Sequence, residues 1–129
     1  MSEQTAGAPR LRLSHVNLGC PDVPALLAFY QRLLGWEVEE ADDDWAVLRH
    51  PDGGVGLAFQ TEVHHVPPVW PPAGPDDQQM QLHLEIAVDL AAASAHAEAC
   101  GAPASDFQPQ DDVRVHVDPA GHPFCLYTD

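Results

Sequence analysis

The sequence predicts an α+β fold in which two βαβββ modules form a curved mixed sheet around a cleft. Three observations carry that expectation. The chain has 129 residues, the size of a single domain. At 45% hydrophobic it can bury one core without disulfide staples. The order of its strand, helix and turn signals repeats once, after about sixty to seventy residues. The expected layout is an extended or disordered lead over 1–10 and a single domain over 11–129. Within the domain, module one spans 11–61, a loop spans 62–79 and module two spans 80–129.

Module one opens on Leu11–Leu18, which reads as a strand with Val16 and Leu18 on one face and His15 and Asn17 on the other. Asp22 offers an N-cap oxygen, and Pro24 is tolerated in a first helical turn. Leu26, Phe29, Tyr30 and Leu33 follow at helical spacing, and Gly35 can close the helix in a left-handed conformation. Three strands are expected next, over Trp36–Glu40, Trp45–Arg49 and Val55–Gln60. The run Pro51-Asp52-Gly53-Gly54 turns the chain between the last two. The prolines at 67, 68, 71, 72 and 75 supply no sheet donors, so 62–79 is read as a loop. It carries Trp70, either packed beneath the loop or forming a pocket wall, and His64-His65, read as solvated.

Module two repeats the plan. Gln81–Val88 alternates cleanly, and Asp89 is placed to cap an Ala-rich helix that Gly101 ends. Strands are expected over Ala104–Phe107, Val113–Val117 and Pro123–Tyr127. The turns His50-Pro51-Asp52-Gly53 and Asp118-Pro119-Ala120-Gly121 match in position, as do His15 and His83. His122 is read as a turn-stabilising residue and Trp45 as core.

A sheet covered by helices on one side leaves its other face free for polar groups. Alternation puts His15, Asn17, His83 and Glu85 on that free face. It adds Gly56, Ala58 and Gln60 from one strand and Cys125 and Tyr127 from another. Arg114 and His116, opposed to Val113, Val115 and Val117, are expected to line the cleft too. Such convergence is the signature of a ligand site. The candidate ligand-binding residues are Asn17, Gln60, Trp70, Arg114, His116 and Tyr127.

The segment Ser14-His15-Val16-Asn17-Leu18, followed by Ala28-Phe29-Tyr30 and Leu34-Gly35, resembles the opening of the vicinal oxygen chelate superfamily. That group includes glyoxalase I, methylmalonyl-CoA epimerase, extradiol dioxygenases, and fosfomycin- and bleomycin-resistance proteins. The closing run Asp118-Pro119-Ala120-Gly121-His122-Pro123-Phe124-Cys125 resembles its DPxGxxxE ending, with Cys125 in place of the Glu. The resemblance spans Leu11 to Tyr127 and implies the glyoxalase/bleomycin-resistance fold, in a glyoxalase-like branch. Metal-using members draw ligands from the first strand of each module and from the last. The resemblance carries these to His15 and His83, with Ala58 or Gln60 third and Cys125 fourth. Hard cations prefer carboxylate oxygens, which Ala58 and Cys125 do not offer, so no cofactor is expected. The alternative is Zn²⁺ on His15, His83 and Cys125 with an open position, and Glu85 as general base.

Charge bounds the partners. Five basic against twenty acidic side chains give a formal net charge of −15. Such a field repels nucleic acid and anionic membrane surfaces and attracts cations, although acidity can also serve solubility alone. No run approaches the roughly 18 apolar residues of a membrane span. No signal-peptide pattern opens the chain, and Cys20, Cys100 and Cys125 form neither a disulfide framework nor a CxxC motif. A cytoplasmic protein is expected. There is no Ser-His-Asp order, no Gly-rich phosphate loop and no basic stripe. Two functions fit: a metal-free protein sequestering a small cationic aromatic compound, or a metal-assisted lyase or isomerase. A homodimer is expected, since members of the superfamily commonly pair and open sheet edges need cover.

Overall fold

Strand alternation, helix caps and turns produce nine elements among the described residues of the computed structural model, which are 7 and 9–128. Most of the 1–10 lead lies outside them. Strand β1 (His15–Cys20) leads to helix α1 (Val23–Leu34), then to β2 (Glu37–Ala41), β3 (Trp45–Arg49) and β4 (Gly56–Thr61). The second module runs β5 (Glu85–Ala87), α2 (Leu90–Cys100), β6 (Val113–Val117) and β7 (Pro123–Tyr127). In each module the first strand pairs parallel with the last: β1 with β4, and β5 with β7. The remaining pairs are antiparallel. This is the expected α+β architecture, but the strands form two sheets, ordered β1-β4-β3-β2 and β5-β7-β6.

Helix α1 has the caps its sequence specifies. The Ala25 N–H donates to Asp22 Oδ1 at 3.1 Å, and Gly35, at φ 71°, donates its N–H to the Gln31 carbonyl. That left-handed conformation is readily open to glycine. The inward stripe of Leu26, Phe29 and Tyr30 is fully buried, each apolar side chain contributing about 1.5–3 kcal/mol by leaving water. Helix α2 is anchored differently. Asp89 makes no side-chain cap bond, and only Ala97 and Cys100 of the helix are buried. Polar ties compensate: Arg32 Nη2 donates to the Cys100 carbonyl at 3.0 Å and His96 Nε2 to the Leu33 carbonyl at 3.1 Å.

Module two departs from its expected strands in two places. The strand expected over Gln81–Val88 is paired only from Leu84 onward. Cys125 N–H reaches the Leu84 carbonyl at 2.8 Å, but the next donor along β7 would be Pro123, which has none. The strand expected over Ala104–Phe107 shrinks to one bridge, Ala104 to His116. There Gln108 takes the place of a neighbouring strand. Its side-chain amide accepts from Val115 N–H at 2.9 Å and donates to the carbonyls of Val115 and Ser105.

One core serves both modules. Phe29 meets Tyr30 edge-on at 4.8 Å between centroids, Tyr30 stacks on Phe59 at 5.7 Å, and Phe124 of module two lies within 6.2 Å of both helix aromatics. The Tyr30 hydroxyl donates to Asp118 Oδ2 at 2.6 Å, binding α1 to the last turn of module two. The other oxygen of Asp118 accepts from the N–H groups of Ala120 and His122. The helices and this core occupy one side of the sheets, leaving the opposite faces for ligands.

Candidate functional site

A cavity of about 360 Å³ opens on the free face of the β5-β7-β6 sheet. Parallel pairing sets Glu85 opposite Cys125 and Ala87 opposite Tyr127, so alternation turns Glu85, Cys125 and Tyr127 to the same side. His83, just before β5, joins them: its Nε2 lies 3.3 Å from Glu85 Oε2. Val113 and Val115 of β6 supply the apolar floor, and Trp70 closes the cavity from the 62–79 loop, its ring 5.4 Å from that of Phe107. Trp70 is therefore a wall of the cavity. Thr128 follows Tyr127 into the lining, and Pro109, Gln110 and Asp112 complete it. These last three were not legible in the sequence, because nothing in an irregular loop says which way it folds.

Electrostatically this cavity is acidic. Glu85 and Asp112 line it, and no Arg or Lys does. Burial, and then the Glu85 carboxylate, push the Cys125 thiol above its ordinary value. Both influences disfavour the thiolate.

The module-one candidates lie elsewhere. His15, its Nδ1 3.1 Å from Ser14 Oγ, lines a separate cavity of about 250 Å³ with Arg12, Arg49, His50 and Glu39. Asn17 Nδ2 donates to Gln60 Oε1 at 3.0 Å, so these two side chains engage one another. Ala58 faces Asn17 across the parallel pair at the position Cys125 holds opposite Glu85.

Two expected cleft residues are corrected. His116 is fully buried on the helix side, where its Nδ1 donates to the Ala102 carbonyl and its Nε2 meets Ser94 Oγ. Its ring stacks on Phe124 at 5.9 Å. Arg114 also leaves the cavity lining, its Nη1 donating to the carbonyls of Gln110, Asp111 and Val113. Strand β6 is turned over relative to expectation: its valines face the cavity and its polar residues face α2 and the adjoining loop. His65 is not simply solvated either. Its Nε2 donates to the Ala120 carbonyl at 2.7 Å.

The residues that the superfamily resemblance offers to a metal do not fit one within a single chain. His15 lines a different cavity from His83 and Cys125. Ala58 has no donor atom in its side chain. Among the described residues no group of three or more His, Cys, Asp and Glu side chains is placed to hold an ion.

Comparison with known proteins agrees with the architecture. No curated protein sequence matches the chain. Solved structures do. A possible glyoxalase from Bacillus cereus is 16% identical with a TM-score of 0.65, covering 92% of this chain and 99% of its own. A glyoxalase/bleomycin resistance protein/dioxygenase family enzyme from Burkholderia phytofirmans PsJN is 20% identical, with TM-score 0.67 and coverages of 92% and 98%. The fosfomycin resistance protein FosX of Listeria monocytogenes, in a mutant complexed with Mn(II) and a dihydroxypropylphosphonic acid, is 14% identical, with TM-score 0.68 and coverages of 98% and 94%. At these identities the likeness concerns the fold. The family model described as a glyoxalase-like domain matches residues 15–127, almost the whole of both modules. The chain belongs to the glyoxalase-like domain family.

Proposed function

We propose that this protein binds a small, flat, cationic organic molecule in the module-two cavity and holds it without a catalytic metal. The observation that carries this reading is the lining of that cavity: Trp70 and Tyr127 as aromatic surfaces, Glu85 and Asp112 as carboxylates, and no Arg or Lys. An aromatic face attracts a cation through its quadrupole, and the carboxylates add direct charge attraction. A volume of about 360 Å³ suits a compact ligand. The net charge of −15 raises the local concentration of cations around the whole molecule. Sequestration is in keeping with the bleomycin-resistance name that two structural relatives carry.

The test is a size-matched panel of cationic and anionic aromatic compounds, titrated against tryptophan fluorescence at low and high salt. Cationic members should bind, with affinity falling as salt rises. Trp70→Ala should weaken binding by about tenfold or more, and Glu85→Gln by several-fold. Equal binding of anionic members, or binding that survives Trp70→Ala, would overturn the proposal.

A second reading rests on His83, Glu85 and Cys125 sharing one cavity. In it the protein is a metal-assisted lyase or isomerase, with Glu85 as base and His15, His83 and Cys125 toward Zn²⁺. The separation of His15 from the other two weighs against it. We also propose that the chain pairs as a homodimer in the cytoplasm. The support is the open outer edge of β1, with Leu11 and Leu13 exposed in the segment that leads into it.

A further inference from the structure

A second histidine pair lies outside the module-two cavity. His65, from the 62–79 loop, and His122, from the turn before β7, line a cavity of about 230 Å³ with Asn17, Gln78, Gln79 and Gln81. Each ring is tied in the same way. His65 Nε2 donates to the Ala120 carbonyl at 2.7 Å, and His122 Nε2 donates to the Gly19 carbonyl at 2.8 Å. A carbonyl can only accept, so in both neutral rings Nε2 carries the proton and Nδ1 keeps its lone pair. No hydrogen bond to either Nδ1 occurs among the described residues. An imidazole whose far N–H is fixed on a backbone carbonyl is arranged as metal-binding histidines are.

The spacing of the rings is informative. Their centroids are 5.3 Å apart, with planes at 55°. Two imidazoles bound at about 2.0 Å in tetrahedral geometry place their centroids about 5.2 Å apart. Adjacent positions of a square-planar ion would bring them to about 4.5 Å. The pair is also held in place. Gly121, at φ 89°, comes so close to Pro67 that a Cβ there would sit 2.5 Å from the proline Cβ. That contact presses the loop bearing His65 against the turn bearing His122.

We propose that His65 and His122 form a Zn²⁺ site through their Nδ1 atoms, with amide oxygens of the neighbouring glutamines and water completing the shell. The ion joins the 62–79 loop to module two in a cavity separate from that of Cys125. The acidic field of the chain favours the cation. The proposal is independent of what the module-two cavity binds.

The test uses tag-free protein freed of metal with a chelator and titrated with Zn²⁺ by calorimetry. One equivalent per chain should bind, and the thermal midpoint should rise by a few degrees. His65→Gln keeps an N–H donor for the Ala120 carbonyl, so it should fold normally yet lose at least tenfold in affinity. His83→Ala and Cys125→Ser should leave affinity within twofold. Imidazole ¹⁵N spectra of the wild type supply a readout free of any substitution: the Nδ1 signals of His65 and His122 should shift with Zn²⁺ while both Nε2 atoms stay protonated. No binding up to millimolar Zn²⁺, a site that survives His65→Gln, or one lost in His83→Ala would each overturn the assignment.

Discussion

Asp118 shows how a single polar residue can hold two modules in register. It is buried, and its partners are the Tyr30 hydroxyl and two backbone N–H groups of its own turn. Tyr30→Phe removes the strongest geometry, a 2.6 Å bond to a carboxylate. The expected cost is about 1.5–3 kcal/mol, read from urea unfolding. The same pair sets an alkaline limit. Burial, and then the Asp118 carboxylate, raise the Tyr30 phenol well above its usual 10. The unfolded chain therefore ionises this phenol first, so its contribution is complete below pH 10 and falls as pH climbs further. Tyr30→Phe should lose stability less steeply above pH 10 than the wild type. Alternation alone made Glu85, Cys125 and Tyr127 legible as inward residues, because Ile86, Phe124 and Leu126 leave no doubt about the core face. It failed at Arg114 and His116 because β6 offers two plausible buried faces. The valines were free to line a cavity, while His116 found Ser94 and the Ala102 carbonyl beneath the helix.

At the scale of elements, β2, β3 and β4 were readable to within a residue, β1 was expected early, over 11–18 in place of His15–Cys20, and module two was less legible. Helix α1 announces itself through Asp22, its apolar stripe and Gly35. The missing strand over Ala104–Phe107 turns on one side chain that no propensity argument singles out. Gln108 makes two bonds to Val115 of β6 and a third to the Ser105 carbonyl, in place of a neighbouring backbone. Gln108→Ala would leave the Val115 N–H without its partner, costing about 1–3 kcal/mol. Hydrogen exchange should localise the loss, with the Val115 amide exchanging far faster than that of Leu126. If protection at Val115 persists, the substitute-strand role assigned to Gln108 is wrong. The shortening of β5 has a plainer cause that was present in the sequence. Pro123 stands where its opposite partner needs a donor, but recognising this requires the register between two strands far apart in the chain.

For the whole molecule, the open edge of β1 and the apolar side chains that lead into it define the assembly prediction. Light scattering at micromolar concentration should give twice the 14.0 kDa chain mass, and Leu13→Asp should shift the mass toward the monomer. A monomer mass in the wild type would refute the dimer. The two-module plan and its repeat were legible because they are written in turns and caps, which are local. The division of the free faces into separate cavities was not, because it depends on how the two sheets sit around a shared core. The repeated parallel pairing has an evolutionary consequence. It creates two equivalent seats in register, one occupied by Asn17 and Ala58 and the other by Glu85 and Cys125. Stability resides on the opposite face of the same strands, in Leu18, Phe59, Phe124 and Leu126. Each seat can therefore drift in chemistry while the scaffold beneath it persists. A duplicated unit of this kind keeps one copy in service while its twin explores new residues, and so lineages sharing under a fifth of their sequence can keep one shape and diverge in what they hold.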